Sequence, residues 1–248
     1  MSTSKPRYPL LDQIRGLALL SMMAYHAAWD LVYLFGVEWP WYHSRGAFFW
    51  QQATCWTFIL LSGFCAPMGR RGYRRGLTVF ACGWIISAVM AIFMPDSPNL
   101  FGILVFLGSA MMLTTVLRPL LKKIPPIAGM SVSFLIFAFL RPIGRGIIGW
   151  GKWKMAVPEW LYRNNMTAFF GFPHDSFYST DYFPLLPWIF LFLTGYFFYF
   201  IMNKKGRLQH LPRLSLPLVE DLGKASLYVY MAHQPVIYAV LWLVFFVI

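Results

Sequence analysis

Charge is scarce in this chain: only 12% of its 248 residues are Asp, Glu, Lys or Arg, against about 25% in a soluble domain. Acids are scarcer still, nine in all, beside 21 basic residues. Cysteine is nearly absent. Cys55, Cys65 and Cys82 all lie inside apolar runs, and an odd count of such thiols argues against a disulfide framework. The sequence contains no zinc-ligand spacing, no phosphate-binding P-loop and no GxSxG elbow, so no metal site is expected. It shows no inverted internal repeat of the kind transporters carry. These deficits exclude a soluble globular enzyme, a disordered chain and a small secreted scaffold.

Apolar runs are what the chain has in abundance, with 58% hydrophobic and 19% aromatic residues. Runs near the ~20 residues needed to cross a bilayer recur from end to end. They fall at about 10–35, 48–67, 77–93, 101–117, 126–140, 182–202 and 222–248. The expected fold is an all-α, polytopic membrane helix bundle with roughly seven spans, in the range six to eight. These spans fill residues 1–248 as one integral membrane domain. A further interfacial or re-entrant helix is allowed at 144–182 or 208–222. The first run follows Lys5 and Arg7 as a signal peptide would, but Arg15 interrupts it and its apolar character continues past Trp29, so a retained helix is expected.

The net charge of +12 raises nucleic acid as a partner. A nucleic-acid binder gathers its Lys and Arg on one soluble surface, whereas here they form short clusters between apolar runs. With the N-terminus inside, the inner segments hold Lys5, Arg7, Arg15, Arg70, Arg71, Arg74, Arg75, Arg118, Lys122, Lys123, Lys204, Lys205, Arg207, Arg213 and Lys224. The outer loops hold Arg45, Arg141, Arg145, Lys152, Lys154 and Arg163, with most of the acids. The positive-inside rule therefore predicts a cytoplasmic N-terminus, and no nucleic acid is expected.

Ionisable residues inside a membrane span are costly, so each is a functional candidate. The first span carries Asp12, Arg15, His26 and Asp30. Arg15 and His26 are eleven residues apart, close to three helical turns, so they share a face about 16 Å apart in height. Asp12 precedes Arg15 by one turn and Asp30 follows His26 by one turn, giving one stripe. Asp30 is placed to orient His26 as a general base, and Arg15 to meet a phosphate near the inner surface. An interfacial Asp12–Arg15 anchor and a packed His26–Asp30 pair explain the same residues structurally. His233 and Gln234 lie about ten residues into the last span, beside Pro235, placed either to bind a polar substrate group or to bond a neighbouring helix. His43 sits in a Trp-rich interfacial loop, and His174 and His210 in loops. The basic loop around Arg70, Arg71, Arg74 and Arg75 suits anionic lipid or a polyphosphorylated cofactor.

Several segments resemble, in order along the chain, bacterial members of the heparan-α-glucosaminide N-acetyltransferase catalytic-domain family, within the transmembrane acyltransferases. They are Leu11-Asp12-x-x-Arg15-Gly16-Leu17-Ala18 with His26 and Asp30, Phe58-Ile59-Leu60-Leu61-Ser62-Gly63, and Phe101-Gly102-Ile103-Leu104. Then follow Tyr182-Phe183-Pro184-Leu185-Leu186-Pro187-Trp188 and Leu222-Gly223-Lys224-Ala225-Ser226-Leu227-Tyr228, with His233-Gln234-Pro235. The resemblance implies an acyl-CoA-dependent acetyltransferase of a bacterial inner membrane. It would pass an acetyl or other acyl group from cytosolic acyl-CoA to a sugar or amino sugar on the far side, with no metal. His26 would be the catalytic histidine with Asp30 beside it, and Asp12, Arg15 and the arginines at 70–75 would hold the CoA end. His233, Gln234 and His43 would face the acceptor. The animal enzyme has an asparagine at the position of His26, and its catalytic histidine would fall nearer His43, so both histidines stay open, His26 favoured by its carboxylate neighbour. Membrane lipid is an expected partner, and a homodimer is compatible with the sequence. Two other readings use the same stripe: a proton-linked transporter or flippase, and a non-catalytic assembly partner.

Overall fold

A computed structural model describes residues 8–204, 206–212 and 216–246. Lys5, Arg7, Lys205 and Arg213, which help to orient the chain, lie outside the described residues. The structure is an all-α membrane protein with very little sheet. Its helices are α1 (Pro9–Tyr33), α2 (Arg45–Cys65), α3 (Gly72–Phe93), α4 (Ile103–Val116), α5 (Arg118–Leu121), α6 (Pro126–Leu140), α7 (Asn165–Phe170), α8 (Leu185–Lys204), α9 (Pro217–Lys224) and α10 (Ser226–Phe246). A helix thus occupies each of the seven expected spans. Among the described residues, four helical stretches are long and apolar enough to cross a membrane by themselves: α3, Pro126–Arg145, α8 and α10. Helix α1 carries Asp12, Arg15 and Asp30, which interrupt its apolar run, and α4 has only 14 residues, about 21 Å.

The chain divides by internal packing into two compact units, Met1–Phe58 with Gly206–Ile248, and Ile59–Lys205. In the first, α1 begins with proline in its first turn, where the missing N–H costs nothing. Helix α9 crosses the start of α1 so closely that a Cβ on Gly16 would run into the Val219 carbonyl, and one on Gly223 into the Asp12 carbonyl. Small residues at such crossings let backbones touch. The last expected span, 222–248, is divided at Ala225, and residues 222–224 belong to α9. Glu220, Asp221 and Lys224 make α9 too polar to continue into a bilayer, and Lys224 pairs with Glu220 at 2.7 Å and with Asp221 at 2.9 Å. Helix α10 packs on α1 and contains Pro235. Between α1 and α2, a 3-10 turn at Pro40–His43 gathers the loop aromatics.

In the second unit, α3 and α4 run antiparallel, pressed together where Gly76 and Gly108 face each other's carbonyl oxygens at 2.9 and 2.7 Å from the ideal Cβ positions. Helices α6 and α8 pair likewise, with Phe137 against Trp188 at 5.5 Å and the Arg141 guanidinium 4.6 Å above the same indole, a cation–π contact. The segment joining them holds a two-residue hairpin, β1 (Ile147–Ile148) and β2 (Met155–Ala156), and α7 with its Asn164–Thr167 capping box. Its final strap is stitched to the start of α4. Thr180 N–H donates to the Pro98 carbonyl and Phe183 N–H to that of Phe101, both at 2.9 Å, and Asp181 Oδ2 accepts from Ile103 N–H at 3.0 Å. Phe101 holds φ at +58°, a conformation uncommon for a bulky residue, with its ring buried against Phe169 and Phe177.

Candidate functional site

In the first unit, the C-terminal half of α1 faces α10, and four of the expected site residues meet there. The His26 ring lies 4.9 Å from that of His233, edge to face. His233 Nδ1 is 2.5 Å from the Tyr230 carbonyl. A carbonyl only accepts, so in the neutral ring Nδ1 carries the proton and Nε2 is left as an acceptor. Gln234 Nε2 donates to Asp30 Oδ1 at 2.6 Å. Asp30 and His233 are 0% and 7% exposed.

The spacing of His26 and Asp30 suggested that the carboxylate orients His26. The structure gives Asp30 to Gln234 instead, 204 residues away in sequence, while His26 rests on His233. Three buried atoms in this cluster have no hydrogen-bond partner among the described residues: Asp30 Oδ2, His233 Nε2 and Gln234 Oε1. Buried polar atoms are nearly always bonded, and all three of these are acceptors in the neutral-histidine form. The cluster is therefore built to receive hydrogen-bond donors.

The remaining expected residues lie elsewhere. Arg15 Nη1 is paired with Asp12 Oδ1 at 2.8 Å near the start of α1, beside the α9 crossing. His43 is exposed and packs on Tyr33 and Tyr42 at ring distances of 6.1 and 5.9 Å, not on His26. Arg70, Arg71, Arg74 and Arg75 are exposed at the start of α3, in the second unit. His174 bonds Ser176 and Asn165 in the segment before α8, and His210 ends a 3-10 turn. No cluster of three or more His, Cys, Asp or Glu that could hold a metal ion occurs among the described residues.

A group of residues that spacing did not reveal lines the other side of α1. Tyr42 is buried 5.3 Å from the Tyr25 ring, which also meets Trp50 at 5.3 Å. Burial, and then the Tyr25 hydroxyl beside it, push the Tyr42 phenol well above its ordinary value, so it stays protonated as a donor. Trp50 Nε1 donates to Ser21 Oγ at 2.8 Å, and Ser21 Oγ lies 2.7 Å from Thr54 Oγ1. The signal in the sequence was the adjacency of Tyr25 to His26 and of Tyr42 to His43, but aromatics are so common here that neither stands out.

Two segments of the sequence pattern, 11–18 and 222–228, pack directly on each other through Gly16 and Gly223. Two others, 101–104 and 182–188, are joined by the strap hydrogen bonds. The ordered motifs thus specify helix contacts as well as site residues. No curated protein and no solved structure matches the chain. The family described as heparan-alpha-glucosaminide N-acetyltransferase, catalytic, matches residues 7–235, and the chain belongs to that family, which places it among the acyltransferases.

Proposed function

We propose that this protein transfers an acetyl group from acyl-CoA to a sugar or amino sugar, with chemistry at the His26–His233–Asp30–Gln234 cluster. The observation that carries the reading is the set of buried acceptors without donors at Asp30 Oδ2, His233 Nε2 and Gln234 Oε1. Hydroxyl and amino groups are donors, so a polyhydroxylated acceptor satisfies what the protein leaves open. A transported cation would be met by the same oxygens, but family membership favours transfer.

In this scheme His26 takes the proton from the attacking hydroxyl or amine as general base. The nucleophile forms a bond to the acetyl carbonyl carbon, the carbon–sulfur bond breaks, and the departing CoA thiolate takes up a proton. His233 Nε2 and Gln234 Oε1 hold the acceptor. Asp30 acts through Gln234 as a positioning residue. Arg15 with Asp12 serves a CoA phosphate from the cytoplasmic side, with the N-terminus inside and the acceptor on the far side of the cell membrane, and the arginines at 70–75 of the second unit are, taken by themselves, a basic group suited to polyphosphate. His43, in the interfacial turn, lies on the acceptor's route.

Purified protein given labelled acetyl-CoA and a panel of hexosamines and hexoses tests this. The expected result is acetylated sugar and free CoA from the wild type. His26→Ala lowers turnover by about 10²–10⁴-fold with an unchanged unfolding midpoint. Acetyl transfer that persists in His26→Ala and is lost in His43→Ala moves the base to His43.

A further inference from the structure

We infer that Arg118 and Tyr196 form a buried subsite for a phosphate-type anion at the basic end of the second unit. Charge in this unit is segregated by end. Its four acids, Asp96, Glu159, Asp175 and Asp181, follow α3, cap α4 or lie between α6 and α8. At the opposite end stand Arg70, Arg71, Arg74, Arg75, Arg118, Lys122, Lys123 and Lys204 with no carboxylate. Antiparallel packing sets these ends: Gly72 at the start of α3 faces Thr115 near the end of α4. Leu121 of α5 packs with Tyr196 and Phe197 of α8, together with Ala66 and Met130.

Most of these cations are exposed, as headgroup-facing residues commonly are. Arg118 differs. It is half-buried at the turn from α4 into α5, and its Nε has no hydrogen-bond partner among the described residues. The Tyr196 side chain is equally incomplete: the residue is 2% exposed and its hydroxyl has no partner. Leu121, three residues on from Arg118, packs in one cluster with Tyr196, and Leu117 lies against that cluster. The phenol oxygen can accept from Nε–H, but the structure holds no such bond, and both polar atoms are left without a partner among the described residues. An oxyanion accepts from both at once, and guanidinium–phosphate bonds are the charge-assisted kind that tolerate partial burial. The surrounding cations raise the local anion concentration.

A phosphate of acyl-CoA and the phosphate of an anionic lipid present the same oxygens. Only the first source rests on the proposed acetyl-transfer reading; the subsite stands on its own geometry. Two titrations separate the sources. Coenzyme A is titrated by calorimetry against detergent-purified protein. Phosphatidylglycerol is tested by thermal stabilisation in phosphatidylcholine nanodiscs with and without it. Arg118→Gln is expected to weaken one of these ligands by about tenfold or more, Tyr196→Phe to weaken the same ligand less, and Arg118→Lys to recover part of the loss. Lys152→Gln, at the other end, leaves both titrations unchanged. Tyr196→Phe removes only a hydroxyl and keeps the packing, so it reads the subsite even if Arg118→Gln unfolds. Dependence of phosphatidylglycerol alone on these residues, with coenzyme A bound as in the wild type, assigns the subsite to lipid and leaves the donor reading intact. Dependence for phosphatidylglycerol in a protein that never binds coenzyme A keeps the subsite and removes the acyl-CoA reading. Wild-type affinity for both ligands in Arg118→Gln and Tyr196→Phe, or binding of neither ligand by the wild type, overturns the subsite.

Discussion

At the scale of single residues, the first helix disclosed its ionisable stripe through spacing alone. Arg15 and His26 fall on one face because helical periodicity is a local property. What spacing could not disclose is the partner each side chain finds across the fold. Asp30 sits one turn from His26, yet its carboxylate is taken by Gln234 of α10, since a short bond to an amide donor outweighs proximity along the helix. The same contact gives Gln234 a structural role beside the one proposed for it. Gln234→Leu leaves Asp30 buried with neither oxygen bonded, and the expected loss of stability is about 1–3 kcal/mol, read as a lowered unfolding midpoint in detergent. An unchanged midpoint contradicts the Asp30–Gln234 bond. Tyr42 was illegible for a different reason: it lies in a run of aromatics that reads as an interfacial belt, and only the fold shows it buried against Tyr25.

At the scale of elements, apolar periodicity located each long helix, because a bilayer-length run has few alternatives. The break at Ala225 was not legible, because Leu222 and Gly223 look like the start of the last span. The three charges on α9 and the contact of Gly223 with the α1 backbone hold that short helix apart from α10. Gly223→Ala therefore forces α9 off α1. The expected cost is about 1–3 kcal/mol, measured by thermal unfolding, with a parallel fall in any activity that depends on Arg15. A variant as stable as the wild type shows that the crossing is looser than described. The strap from 179 to 183 was not legible either. Only its Tyr182 and Phe183 belong to a segment that resembles the family, and the strap caps and pins α4 through backbone and Asp181 bonds, contacts that join residues about eighty positions apart and leave no local pattern.

At the scale of the whole molecule, composition alone excluded a soluble protein, and the scarcity of acids gave the charge bias its meaning. Orientation is the next consequence. In a background with Cys55, Cys65 and Cys82 replaced, Lys152→Cys is expected to react with a membrane-impermeant thiol reagent added to intact cells, and Lys123→Cys to react only after lysis. The reverse pattern inverts the proposed topology and with it the side from which acyl-CoA arrives. The proposed transfer begins with one binding event. Calorimetry of acetyl-CoA on purified wild type, Arg15→Ala and His26→Ala measures it without knowledge of the acceptor. The wild type is expected to bind, Arg15→Ala to bind more weakly, and His26→Ala to bind as the wild type does while failing to turn over. A folded wild type that takes up no acetyl-CoA contradicts the proposed transfer.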